Sequence, residues 1–197
     1  VLDHRGQTSA ALEMYDRILE STPDDHEVRV NRSLILLARG DYATGWSEYE
    51  SRRASPSHRE FPFPEWDGTA LDGRVLLVHA EQGLGDEIMF ASCLPEVIGQ
   101  ARHCIVECHP KLEKLFRRSF PAATVHGALQ TETDLSWLEH EPRIDFKVGI
   151  GSLPLRFRGS RSDFPSHAGY LRADPERRDY WLARLAELGG GPKIGVS

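Results

Sequence analysis

Six consecutive residues, Glu81-Gln82-Gly83-Leu84-Gly85-Asp86, stand between an apolar run, Arg74-Val-Leu-Leu-Val-His79, and a stretch with helical spacing from Glu87. A turn that feeds a strand into a helix leaves backbone N–H groups without partners, and the helix dipole adds partial positive charge, so such a place favours an anion. Glycines at 83 and 85 let a diphosphate approach the main chain closely. Gln82, Gly83, Leu84 and Gly85 are therefore the candidate substrate-binding residues. Asp86 has two readings. As a helix N-cap, its carboxylate satisfies first-turn N–H groups; as a general base, it takes the proton of an attacking hydroxyl. The two roles oppose each other, because a carboxylate stabilised by the dipole is a weaker base. Glu81, outside the helix and less stabilised as an anion, is the second candidate base. The spacing is not the dinucleotide-binding fingerprint, since position 88 is Ile where a third glycine belongs, and this disfavours a nucleotide-dependent oxidoreductase. No Gly-Lys-Ser/Thr comes after it either, so it is not a Walker loop. By spacing alone the loop is an anion-facing turn.

The elements around the loop must hold it at the edge of a sheet. Residues 74–79 form a continuous β-prone run, as in a parallel strand buried on both faces. Ile88, Ala91, Leu94 and Ile98 then define a helical stripe over 87–100, with a kink expected at Pro95. His103–Cys108 reads as a second strand, Lys111–Arg118 as a short helix, Ala123–His126 as a third strand and Ile144–Val148 as another. This alternation predicts an α/β fold with a doubly wound, Rossmann-like parallel sheet, and such sheets bind ligands at the carboxyl ends of their strands. Asp174–Leu188 reads as a further helix and Lys193–Ser197 as the opening of another strand. The chain then stops inside that strand, and it starts without an initiator Met, so both ends read as cut.

The first fifty residues repeat. Gly6, Ala11 and Tyr15 recur as Gly40, Gly45 and Tyr49, each pair 34 residues apart, which is the period of a tetratricopeptide helix pair. In that arrangement a glycine opens the turn, a small residue permits close helix approach, and the aromatic fills the space between successive pairs. Residues 9–20 read as the second helix of one unit, and 26–39 with 42–53 as the next pair. The apolar positions Val28, Val30, Leu34 to Leu37, Trp46 and Tyr49 are dense enough to require partners on both sides. Arg52 stands where a small residue is usual and Pro56 is one place from the expected closing proline, so the second unit resembles a terminal repeat docked on the domain beyond it. Residues 54–73, with five Pro or Gly among Phe61, Phe63 and Trp66, read as a linker packed on the next domain. The domain organisation is thus 1–53, 54–73, 74–173 and 174–197.

Composition excludes several functions. A formal net charge of −6 disfavours a general nucleic-acid binder, which needs a basic face. No apolar run approaches the roughly 18 residues of a bilayer span. Cys93, Cys104 and Cys108 lack disulfide or zinc spacing and fit buried thiols in a reduced, cytoplasmic setting. No metal or other cofactor is implied, since helix N-termini and cationic side chains can offset phosphate charge. Arg156, Arg158 and Arg161 form a local basic cluster, more in keeping with an exposed loop than with an anion site.

Gly40-Asp-Tyr-Ala-Thr-Gly-Trp-Ser-Glu-Tyr-Glu-Ser-Arg, Trp66-Asp-Gly, Glu81-Gln-Gly-Leu-Gly-Asp, Ser152-Leu-Pro and Tyr170-Leu-Arg-Ala-Asp, in this order, resemble bacterial tetratricopeptide proteins with a carboxy-terminal glycosyltransferase-like domain. That domain is similar to the heptosyltransferases, whose two nucleotide-type domains face across a cleft (the GT-B arrangement). The resemblance implies transfer of a sugar from a nucleotide-diphosphate sugar to a protein or glycan acceptor, with Gly85-Asp86 matching the Gly-Asp that supplies a base. It implies that Ser152 lies at the cleft edge, where the residues alone equally suggest a proline-marked turn. It also implies that Lys193–Ser197 begins a second domain holding most of the donor site, so that residues 1–197 alone lack turnover. The alternative is a non-catalytic scaffold whose repeats bind a peptide partner.

Overall fold

The computed structural model describes residues 8–55, 59–132, 134–166 and 169–194. Gly6, Pro56 and the end of the strand expected over 193–197 lie outside the described residues, and Lys193 and Ile194 are not in a strand. Three helices open the chain: α1 (Thr8–Ser21), α2 (His26–Ala38) and α3 (Tyr42–Tyr49). Asp25 caps α2 by accepting from the Val28 N–H at 3.0 Å, and Asp41 caps α3 through Thr44 N–H. Gly40 turns between them at φ +85°, a conformation that strains other residues. Gly45 is the close-approach point, because a Cβ there would lie 2.7 Å from Leu37 Cγ and 3.1 Å from Leu37 N. Arg32 of α2 joins all three helices through Asp16 of α1 and Glu48 of α3. A 3-10 turn, Glu50–Ala54, continues α3.

The aromatic pair of α3 does not fill a gap between repeats. Tyr49 and Trp46 pack on each other and on Phe90, inside the core of the sheet domain. The last hairpin is therefore docked on the α/β unit. On its other side α2 carries α1, with Ala11 buried and Arg32 bound to Asp16, while Met14, Ile18 and Leu34 remain exposed; among the described residues the hairpin thus has neighbours on both sides.

The sheet has four parallel strands, β1 (Val75–His79), β2 (His103–Cys108), β3 (Thr124–Gly127) and β4 (Phe146–Gly149), in the order β3-β2-β1-β4. β1 is buried at every position. Leu76 and Val78 face one core, with α4 (Leu84–Phe90), α5 (Leu94–Gln100) and α6 (Pro110–Ser119); Val75 and Leu77 face the other, with Phe61, Ile144, Leu135 and Trp137. Handedness explains the division. The β1-to-β2 and β2-to-β3 crossovers run in one direction over one face, whereas β3 to β4 must return past β1, and a right-handed return passes over the opposite face. Leu135, Trp137, Leu138 and Ile144, on either side of and within the 3-10 turn Ser136–His140, lie there. The fold is thus α/β and doubly wound, as the alternation predicts.

The helix after the loop differs from the expectation. It begins at Leu84, three residues early, and just before Pro95, where a kink is expected, it is interrupted. A 3-10 turn, Ala91–Cys93, ends α4, and Pro95 sits in the first turn of α5, where its missing N–H costs nothing. The described linker residues from Arg59 on pack against the sheet. Phe61 and Trp66 are buried, and Trp66 N–H and Pro64 C=O pair with Lys147 at 2.8 Å each, covering the outer edge of β4. After β4 come a 3-10 turn, Ile150–Ser152, and α7 (Leu153–Phe157); α8 (Pro175–Ala186) comes last, with no buried residue.

Candidate functional site

Strand order reverses at β1, whose neighbours β2 and β4 are reached over opposite faces. The crevice outside the carboxyl ends of β1 and β4 is therefore the switch point at which open α/β sheets take ligands. Glu81 comes just after β1 there, and Gly151 and Ser152 just after Gly149 at the end of β4. The sequence-derived residues do converge on this edge, but their local roles differ from those the spacing suggests.

Asp86 is not the N-cap. Gly83 holds that position with an extended backbone, and Asp86, three residues on, accepts the Gly83 N–H through Oδ2 at 3.0 Å. This is the backward half of a capping box. The cap lies earlier than expected because the helix takes Leu84, Gly85 and Asp86 into its first turn. The left-handed residue of the turn is not a glycine either: Gln82 has φ +65°. Gly85 has open space where a Cβ would stand, and at Gly83 a Cβ would touch only Asp86 Oδ2, at 3.3 Å.

Glu81 is held by Arg52, from the 3-10 turn after α3. Arg52 donates from Nε to Glu81 Oε2 at 3.1 Å and from Nη2 to Glu81 Oε1 at 2.6 Å, and Gly151 N–H adds a bond at 2.8 Å. The same guanidinium reaches Ser152 Oγ at 2.7 Å and Glu50 at 2.8 Å, and Ser152 Oγ donates to Glu50 at 2.9 Å. It also lies over the Tyr49 ring, 4.6 Å from the centroid. Burial works against the Glu81 charge, but the Arg52 charge and hydrogen bonds, with the Gly151 N–H, outweigh it and hold the carboxyl below its ordinary range. Glu81 is therefore a stabilised anion, which corrects the expectation of a less stabilised base. Glycines at 149 and 151 make room for it: a Cβ at 149 would overlap Glu81 Oε1, and one at 151 would lie 2.9 Å from it.

Gln82 is fixed from two sides. Tyr49 Oη donates to Gln82 Oε1 at 2.8 Å, and Gln130 Nε2 donates to the Gln82 carbonyl at 2.6 Å. A cleft of about 590 Å3 opens beside it, between α2 and the strand ends, lined by His26, Val30, Arg59, Glu81, Gln82 and Gln130 among others. Glu81 and Gln82 line this cleft; Gly83 to Asp86 and Ser152 do not. Ser152 is 5% exposed and lies behind Arg52. Deeper in, Glu107 of β2 accepts from Arg59 at 2.9 Å and from Ala80 N–H at 3.2 Å. Burial pushes its carboxyl upward in spite of Arg59.

No motif singles out Arg52, Tyr49, Arg59, Glu107 or Gln130 as site residues. Arg52 has a signal in the expected 34-residue repeat, where a small residue is expected at its position. Glu107 has another, as a lone acidic residue in an otherwise apolar strand. The basic cluster separates. Arg158 is 3% exposed and is held by Ser92 and Phe157 carbonyls and by Glu96 at 2.6 Å, so it is a buried tie and not part of an exposed loop. Among the described residues, no group of three His, Cys, Asp or Glu is placed to hold a metal ion, and no helix is long and apolar enough to cross a membrane.

The chain is 34% identical over 207 residues to Protein FlbA of Caulobacter vibrioides, an alignment covering 97% of this chain and 35% of that protein. It thus spans about a third of the length of the curated relative it matches. No protein-family model matches the sequence, and no solved structure matches it.

Proposed function

We propose that this chain contributes to the transfer of a sugar from a nucleotide-diphosphate sugar to an acceptor hydroxyl. The observation that carries the proposal is the switch-point crevice, with the Gln82–Gly85 turn and Asp86 beside it at the carboxyl edge of a parallel sheet. An acceptor hydroxyl attacks the anomeric carbon, the bond to the diphosphate breaks, and the nucleotide diphosphate leaves. Asp86 takes the hydroxyl proton, and the open space beside Gly85 admits the diphosphate to main-chain N–H groups of the turn. Glu81, locked to Arg52, contributes shape and charge balance and not proton transfer.

The full-length gene product, incubated with a panel of nucleotide-diphosphate sugars, should release nucleotide diphosphate. Asp86→Asn should lower that rate on the order of 100-fold or more, the usual contribution of a general base. Absence of turnover across the panel overturns the transferase reading, and full activity in Asp86→Asn overturns the base assignment alone. One observation favours the scaffold instead: the Arg52 guanidinium at the crevice is already engaged by Glu81, Ser152 and Glu50. Loss of turnover in the panel together with specific, saturable binding of a peptide to the helical segment would support it.

A further inference from the structure

The helical segment meets the sheet in a knot of buried polar groups, and that knot lies at the switch point. Arg52, its side chain 7% exposed, reaches both strand ends that flank the crevice, Glu81 after β1 and Ser152 after β4. Three residues earlier, Tyr49 donates to Gln82. Among the described residues Gln82 is the one non-glycine with positive φ, and a backbone in that region persists only where its surroundings hold it. Of the contacts that hold this turn, Tyr49 acts on Gln82 and Arg52 on its neighbour Glu81, both from the helical segment; Gln130 acts from the segment after β3.

We propose that Arg52 is a positioning residue which, with Tyr49, fixes the turn Glu81–Gly83 and so sets where Gly83 and Asp86 stand. The helical segment is then a wall of the crevice and not a spacer attached to it. That the turn serves sugar transfer rests on the proposed function, whereas the positioning itself does not. The guanidinium is suited to this as an ammonium is not. It contacts both Glu81 oxygens, Glu50 and Ser152 from one plane, and a lysine offers a single point charge. α2 bounds the neighbouring cleft, which His26, Glu27 and Val30 line together with Arg52, Glu81 and Gln82.

Amide hydrogen exchange on the full chain, read by mass spectrometry, tests this without any assay of turnover. Tyr49→Phe keeps the ring and removes the bond to Gln82; Arg52→Ala removes the clasp; Arg52→Lys keeps the charge. Tyr49→Phe and Arg52→Ala should speed exchange over residues 81–87 by about tenfold or more while β1 and β2 keep their protection, with Arg52→Lys intermediate. Unchanged exchange over 81–87 in Tyr49→Phe and Arg52→Lys overturns the proposal. So does a rise shared equally by β1 and β2, which would mean general destabilisation. If Arg52→Ala does not fold, the other two variants decide. A failed transfer assay leaves this result standing, and a failed exchange experiment leaves the transfer assay standing.

Discussion

Replacing Gly149 by alanine should cost stability only because of Glu81. Gly149 has φ −67° and ψ 138°, a conformation that any residue adopts, so the main chain does not forbid the change. The obstacle is the carboxylate: a Cβ at 149 would overlap Glu81 Oε1 and lie 2.9 Å from Cδ, and its three nearest atoms all belong to Glu81. Gly149→Ala must therefore push Glu81 off Arg52 or distort the end of β4. Overpacking costs about 1–3 kcal/mol, and stripping one partner from a buried charge costs about 3–5 kcal/mol. Arg52 keeps Glu50 and Ser152, which softens the second effect, so the loss should be about 2–4 kcal/mol. In a Glu81→Ala background the obstacle is gone. The same substitution should then be neutral or stabilise by about 0.4–1 kcal/mol, through the reduced freedom of the unfolded chain. Urea denaturation monitored by tryptophan fluorescence, with unchanged slopes, measures both. Gly99→Ala, in α5 with nothing within 4 Å of the new Cβ, is the control and should stabilise by about 0.5–1 kcal/mol. An equal loss from Gly149→Ala in both backgrounds would falsify the steric link between the two strand ends.

The charges and thiols give further expected outcomes. Glu81 has a folded-state pKa below its ordinary 4.5, so its contribution is present above that value and is lost as pH falls through the lower one; Glu81→Gln should flatten this acid-side loss in denaturation curves taken from about pH 3 to 7. Glu107 has the opposite sign, because burial raises its pKa above 4.5: its contribution is full below 4.5 and is lost as pH rises through the raised value, and Glu107→Gln should remove that loss. The thiols of Cys93, Cys104 and Cys108 are buried, and burial pushes them up to about 11, 12 and 12. A thiol reagent at about pH 8 should find none of the three in the native protein and all three in urea; rapid native labelling would contradict their packing.

Much of the fold is legible in the sequence because its causes are local. The β1 and β2 runs are apolar without alternation, as strands covered on both faces must be, and the expected bounds of both lie within a residue of the observed ones. Gly40 and Gly45 announce a turn and a close approach that the structure shows in a positive φ and a tight contact with Leu37. The start of α4 is harder to read because Asp86 looks like a cap, while the glycine three places earlier serves as one once Asp86 reaches back to its N–H. The site is less legible for a different reason. Arg52 meets Glu81 and Ser152 across 29 and 100 residues of sequence, and no spacing rule reports a pairing of that range. Its only local trace is a large charged residue at a place reserved for a small one.

The position of that guanidinium bears on how freely the two halves of this chain could be recombined. A linker rich in proline and glycine usually marks a seam along which modules are exchanged or expressed apart. Here a cut along residues 54–73 would leave Glu81 facing an empty crevice floored by Gly149 and Gly151, and would expose the Tyr49, Trp46 and Phe90 contact. A different helical array could replace this one only by carrying an aromatic and an arginine at the corresponding places of its last turn. The seam visible in composition is thus not a seam in energy, and Tyr49 and Arg52 should travel with the sheet whenever either half is inherited.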